Sequence, residues 1–375
     1  MWSRVNCLEH DLMGFEAATI FPGVLLEGAE RVAKNASSYE AAIYPRIIQE
    51  MGWSSTLISE SNGGYGGSFA DIGSLLEGMA SRAINLPIMT RCCIVPGMLE
   101  AAPETESVSA LLSQIAQGVA CIELAGSLSW RETHKLPQLS PVTDGWILSG
   151  RLDAFEWSEC CTHVLFCALD TASQNISIVI IEAGQLPDQA RHFTTVERRR
   201  IKQVDIGSLK IANYSVLAQG DAASAMCQAG WKLAQVSVAA DIVCTMNYML
   251  AETVGYLQER KQFGQPLAQF QALRHDVAKL YVSFETCKNL LMASLRSLEG
   301  AGGRDDLAAL DLLGVYTREQ AIAFAQSVIQ LHGGMGMTQE TMAARMATRL
   351  VANALRFGDT YSHVKALTQF QADEK

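Results

Sequence analysis

The chain has 375 residues, of which 49% are hydrophobic, and carries 29 Lys and Arg against 39 Asp and Glu for a net charge of −10. That length exceeds what one hydrophobic core organises, so two or three packed subdomains are expected. The acidic balance excludes a general electrostatic footprint for nucleic acid or an anionic membrane and fits a soluble metabolic protein.

Ten cysteines are scattered without a CxxC pair or a His-rich tract, which points to reduced thiols in a cytoplasm. The adjacent pairs Cys92-Cys93 and Cys160-Cys161 read as packing residues, not zinc ligands, and no metal is expected. The first residues carry acids early and lack a long apolar core, so no secretory signal or organellar transit peptide is expected. No apolar stretch of about 18 residues offers a membrane span.

In chain order, residues 1–115 show helical apolar spacing broken by Ser61-Asn62-Gly63-Gly64-Tyr65-Gly66-Gly67 and Val95-Pro96-Gly97, and predict an N-terminal helical domain. Residues 116–222 change to short β-type runs at Gly145 to Gly150, His163 to Ala168, Ile176 to Ile181 and a later segment through Ile211, and predict a central sheet domain. Residues 223–375 return to helical spacing. Leu233, Val236, Ala240 and Val243 form one stripe, Leu273 to Leu298 a second, and Phe324, Val328 and Leu331 a third. Stripes this long need partner helices, so a helical bundle is expected, with a break at Gly300-Ala301-Gly302-Gly303.

The string Glu259-Arg260-Lys261-Gln262-Phe263-Gly264-Gln265-Pro266-Leu267, followed by Phe270-Gln271, resembles the segment joining two bundle helices in the acyl-CoA dehydrogenase family. Gln330-Leu331-His332-Gly333-Gly334-Met335-Gly336-Met337 resembles that family's later Gly-Gly turn, and Ile58 to Gly67 its first Gly-rich loop. The resemblance implies an α+β fold with an N-terminal helical domain, a central β-barrel-like domain and a C-terminal four-helix bundle. It implies FAD bound between sheet and bundle, in a site completed by a neighbouring subunit. Arg260 would meet the flavin pyrophosphate with a bidentate guanidinium. Gln262 and Gln271 would add hydrogen bonds, and Phe263 an apolar wall. Gly333 and Gly334 would let backbone approach a phosphate or ribose, with Gln330 toward the adenosine half and Thr360 also on the cofactor.

The family's reaction takes an α-proton with a carboxylate while a hydride passes to the flavin, and both family positions for that base depart here. One matches Gly358 in Arg356-Phe357-Gly358-Asp359-Thr360; the other matches Ala234, beside Gln235. Asp359 is the candidate base, with a loop or cap role as its alternative, and Asp241 is read as a satisfied buried acid or part of a solvated face. On the flavin-ring side the chain reads Glu123-Leu124-Ala125-Gly126-Ser127-Leu128-Ser129-Trp130. A gap-free match puts Ala154-Phe155-Glu156 where a ring-binding threonine is usual, and only a local shift makes Trp157-Ser158 the match. A carboxylate at Glu156 would repel reduced flavin. Arg198-Arg199-Arg200 reads as a solvated strand face.

The asymmetry implies a heteromer. A related acyl-CoA dehydrogenase subunit would supply base and ring contacts to form an α,β-double bond in an acyl-CoA substrate, with electrons passing to an electron-transfer flavoprotein. The departures resemble those of bacterial heterotetrameric members acting on steroid side-chain CoA thioesters. The alternatives are a non-catalytic scaffold subunit and a homomeric dehydrogenase using Asp359.

Overall fold

The computed structural model describes residues 12–36, 45–126, 128, 135–187, 189–298, 304–338 and 340–373. Ser127, Ser129, Trp130 and the expected break at Gly300 to Gly303 lie outside the described residues. Residues 1–35, 73–84 and 235–375 form one unit, and residues 36–72 and 85–234 another.

In the second unit, α2 (Pro45–Glu50), a π-helical turn (Met89–Ile94), α4 (Val95–Glu100) and α5 (Glu106–Ala116) accompany a sheet. The sheet comprises β1 (Ile122–Ala125), β2 (Gln138–Val142), β3 (Gly145–Glu156), β4 (His163–Asp170), β5 (Ile176–Glu182), β6 (Ala190–Thr194), β7 (Arg200–Ile211) and β8 (Val216–Gln219). Their order is β6-β7-β3-β2-β4-β5-β8, with β1 parallel to β4. The β-type runs read from sequence fall on β3, β4, β5 and β7. Leu148 and Leu152 of β3 turn inward, toward Phe166 and Val204 in one apolar cluster, as the two-residue pleat requires. Phe155, an odd number of residues on, joins them because β3 carries an extra residue against β7 between Leu152 and Phe155. β4 is apolar nearly throughout because it is buried along most of its length.

The other unit is helical. It contains α1 (Val24–Asn35), the part of α3 (Phe69–Ala80) from Gly73 on, and α6 (Gly220–Glu259) from Gln235 on. It continues through α7 (Gln271–Leu298), α8 (Arg304–His332), α9 (Met342–Ala354) and α10 (Thr360–Asp373). α7 buries Val277, Leu280, Phe284, Cys287 and Leu291 at spacings of three and four, the stripe expected of one face. α8 packs against α7, α9 and α10, so it is the central strut of this bundle. α6 is apolar on nearly every side, and it alone among the described residues is long and apolar enough to cross a membrane. In its most apolar window, 89% of residues are buried inside the protein. The sequence reading missed that window because Asp241 interrupts the run. Asp241 is itself buried, held by Arg349 from α9 through bonds of 2.7 Å to each carboxylate oxygen.

Candidate cofactor and partner-facing site

The Glu-Arg-Lys string folds as a tight device at the end of α6. Arg260 N donates to Tyr256 O at 2.9 Å, and Leu267 N donates to Arg260 O at 2.8 Å. Between them β9 (Lys261–Gln262) pairs antiparallel with β10 (Gln265–Pro266). The two-residue loop, Phe263 and Gly264, has φ of +53° and +80°, the left-handed pair that matches hairpin twist. Phe263 sits at the tip and is 90% exposed, edge-on to Phe270. Arg260, Gln262 and Gln271 are also exposed.

The Gly-Gly string lies at the same end of the bundle. Tyr256 stacks on His332, which closes α8, and a 3₁₀ turn (Gly333–Met337) follows at once. Burial pushes the His332 imidazole down to about 4, so it is neutral here, and its Nε2 lies 3.3 Å from Thr253 Oγ1. Gln330, Gly333 and Gly334 are exposed, with Met335 and Met337 beside them. Gly333 has φ +60°, a backbone that favours glycine. A methyl group added at Gly333 or Gly334 meets nothing within 4 Å, so the chain's own packing leaves both backbones open to another group. A permanent cation, side-chain amides, open glycine backbone and an apolar tip suit a dinucleotide with its phosphates and rings. This set faces outward.

The neighbours of the two residues matched to the base, Ala234 and Gly358, are bonded to each other. Gln235 Nε2 donates to Phe357 O at 3.1 Å, tying α6 next to Ala234 to the loop before Gly358. Arg318 from α8 then donates from Nη2 to Gln235 Oε1 at 2.8 Å and to Arg356 O at 3.0 Å. Both side chains are fully buried. Burial pushes Arg318 down to about 10, opposed by the charges of Asp311 and Asp359. The His363 ring, paired through Nδ1 with Asp311 at 2.8 Å, stands over Gly358; a Cβ there would lie 3.4 Å from His363 Nε2. The Arg318 guanidinium thus holds the loop that leads to Gly358, and the His363 imidazole and Ser362 hydroxyl stand beside Gly358 itself. Sequence reasoning missed Arg318, although a charge in the Leu310, Leu313, Thr317, Ala321 stripe was a readable signal.

Asp359 caps α10. Ser362 N donates to its carboxylate at 2.8 Å, and that backbone bond holds the carboxyl below its usual range. A general base near neutral pH needs the opposite shift. Thr360 follows as the first helical residue, half-buried.

In the sheet unit, Arg91 reaches from the π-helical turn to a buried ion pair with Glu123 and a hydrogen bond to Ser158. Ser158 Oγ also donates to Glu123 at 3.2 Å, so its hydroxyl is committed within the chain. Glu156 closes β3 and pairs with Arg199 at 2.8 Å. Arg199 also pairs with Glu197 at 3.2 Å, so one cation serves two carboxylates. Its burial corrects the expectation of a solvated strand face, while Arg200 pairs with Glu159 at the surface. Among the described residues no group of three His, Cys, Asp or Glu is placed to hold a metal.

This is the acyl-CoA dehydrogenase fold. Aligned with the ChsE4-ChsE5 complex of Mycobacterium tuberculosis, it gives a TM-score of 0.78 at 16% identity over 95% of this chain and 99% of that one. A variant of the Tcur3481-Tcur3483 steroid ACAD gives 0.77 at 20% over 98% and 99%, and PigA with FAD and proline 0.80 at 16% over 94% and 97%. Residues 226–367 match the acyl-CoA dehydrogenase C-terminal domain. Among curated proteins, acyl-CoA dehydrogenase IpdE2 of Mycolicibacterium smegmatis is 29% identical over 107 residues, 28% of this chain. That alignment spans 32% of the relative's own length, and the next reaches 46% of another's.

Proposed function

We propose that this chain is a subunit of an FAD-dependent acyl-CoA dehydrogenase, giving its bundle end to a flavin whose ring and catalytic base belong to a related chain. The observation that carries the reading is the contrast within one unit. Gln235, the loop at Phe357 and buried Arg318 bond to one another beside Ala234 and Gly358, the residues matched to the base, while Arg260 and Gly333-Gly334 stay exposed. FAD, when bound, accepts the hydride removed from the acyl chain. Arg260 would hold its pyrophosphate, Gln262 and Gln271 would donate hydrogen bonds, Phe263 would cover an apolar face, and Gln330 with Gly333 and Gly334 would face the adenosine side.

The two-protein and steroid-related names of fold neighbours support a heteromer acting on a steroid side-chain CoA thioester, with an electron-transfer flavoprotein as acceptor. The capping bonds of Asp359 favour the partner's carboxylate over Asp359 as the base. Thr360 would then act at the cofactor only through the start of α10.

The test is co-expression with the related chain and measurement of flavin per heteromer for wild type and Arg260→Ala. Flavin content falling about tenfold or more, with the heteromer intact, is the expected result, since removing one charge-assisted partner costs about 1.5–3 kcal/mol. Full flavin content and turnover would favour the scaffold reading instead.

A further inference from the structure

Cys121 and Cys160 are far apart in sequence and touch in the fold, with sulfurs 3.5 Å apart. The approach is fixed by backbone. Cys121 stands just before β1, and its carbonyl accepts from Thr162 N at 2.8 Å while its N–H donates to Thr162 Oγ1 at 2.9 Å. Those bonds pin the turn between β3 and β4 that carries Cys160. Around the Cys160 sulfur, Arg91 Nη1 donates at 3.4 Å and Ser158 Oγ lies at 3.2 Å. A cation and a second thiol thus converge on one sulfur, surroundings that stabilise a thiolate, while the Ser158 proton goes to Glu123. Glu123 also borders the cluster, but its carboxylate is bonded to Arg91 and Ser158.

We propose that Cys121 and Cys160 form a redox-active dithiol, in which Cys160 is the sulfur that attacks low-molecular-weight disulfides and Cys121 is the one that resolves the adduct.

The other cysteines supply the contrast. Cys167 and Cys227 also touch, at 3.3 Å, but both are buried among apolar side chains, and the hydrogen bond with Cys227 and burial push the Cys167 thiol well up. Burial pushes Cys161, next in sequence, up to about 12. Cys160 is partly exposed, and the bond from Cys121, with the nearby Arg91 charge, brings it down to about 5. Contact alone therefore does not distinguish the pairs; access and the surrounding donors do.

The chemistry balances with glutathione disulfide as oxidant. The Cys160 thiolate attacks one glutathione sulfur, forming a mixed disulfide and releasing one glutathione thiolate. Cys121, buried and with its thiol held well up by its bond to Cys160 and by burial, then attacks the Cys160 sulfur, and its proton leaves with the second glutathione, which departs as the thiol. Two cysteines are oxidised as one glutathione disulfide is reduced. The sulfurs must close to about 2.05 Å, a movement available to Cys160 because it sits on a turn.

The experiment treats the full chain, as purified with its partner, with glutathione disulfide at neutral pH, traps remaining thiols with N-ethylmaleimide and maps the peptides by mass spectrometry. A Cys121–Cys160 crosslink should form before any other thiol reacts, Cys121→Ser should accumulate glutathione on Cys160, and Cys160→Ser should leave Cys121 unmodified. In untreated wild type, a thiol-alkylating reagent should label Cys160 at least about tenfold faster than the other cysteines. Labelling spread evenly over the cysteines would overturn the proposal. So would a Cys160 adduct in wild type that never resolves onto Cys121.

Discussion

Tyr256 lies flat on His332, with ring centroids 4.3 Å apart and planes 15° apart, and its hydroxyl donates to the His332 carbonyl at 3.2 Å. This contact joins the last turn of α6 to the last turn of α8. Arg260 follows Tyr256 by four residues and Gly333 follows His332 by one, so the pair brings the two outward-facing strings to one end of the bundle.

The same contact carries a pH dependence. His332 has a folded pKa lowered by burial to about 4, against about 6.5 in an unfolded chain. Above 6.5 neither state binds the proton and the full stability is present. As pH falls from 6.5 to 4 the unfolded chain takes the proton first, so stability declines through that window and levels off below it. Allowing for partial solvation of the ring, the loss is about 1–3 kcal/mol. Urea midpoints at pH 7 and pH 4.5 measure it, and His332→Gln should remove this component; an unchanged pH dependence in that variant would show that the acid sensitivity arises elsewhere.

Gly333 and Gly334 separate backbone need from ligand need. Gly333→Ala forces a side chain into the left-handed region and should cost about 1–2 kcal/mol. Gly334 has open space around it and no positive φ, so Gly334→Ala should leave the thermal midpoint of the isolated chain within about 1 °C. In the assembled enzyme, Gly334→Ala should nevertheless lower flavin content. Normal flavin loading in that variant would count against backbone contact at this turn.

Much of the architecture was legible because it rests on periodicity. The α7 stripe from Val277 to Leu291 and the β-type run from Gly145 to Gly150 are local patterns that one-sided burial imposes. The Arg260 and Gly333 strings were legible as motifs, since their backbone geometry is local as well. What was not legible is pairing across long sequence separations. Nothing near Glu156 announces Arg199, and nothing near Gln235 announces Arg318; those partners are set by which helices and strands become neighbours. The contact between Cys121 and Cys160 is of the same kind, set by parallel pairing of β1 and β4.

Asp241 and Arg349 offer a direct energetic test. Each is almost fully buried, and the fork of the guanidinium meets both carboxylate oxygens. Removing either partner alone strands a charge, so Asp241→Ala and Arg349→Ala should each destabilise by about 3–5 kcal/mol. Replacing both, as Asp241→Leu with Arg349→Met, should be much less costly than the sum. A double variant as unstable as the two singles added together would mean that the two charges are not coupled.

The first Gly-rich loop gives the complementary case at Gly64 and Gly67, where the protein's own backbone fills the space a side chain would need. A Cβ at Gly64 would stand 2.2 Å from Ile58 O and 2.5 Å from Ile58 Cβ, and one at Gly67 would stand 2.8 Å from Thr56 O. The obstruction is largely backbone, and that backbone is itself bonded, since Gly66 N donates to Ile58 O and Gly67 N to Thr56 O. It has little freedom to yield. Gly64→Ala should therefore destabilise by about 2–4 kcal/mol, measured by chemical denaturation. Adding FAD should not recover the loss, because this cost lies in the fold of the loop. Rescue of Gly64→Ala by excess flavin would place that glycine at the cofactor instead, and would align the first Gly-rich loop with the Gly333 turn in function.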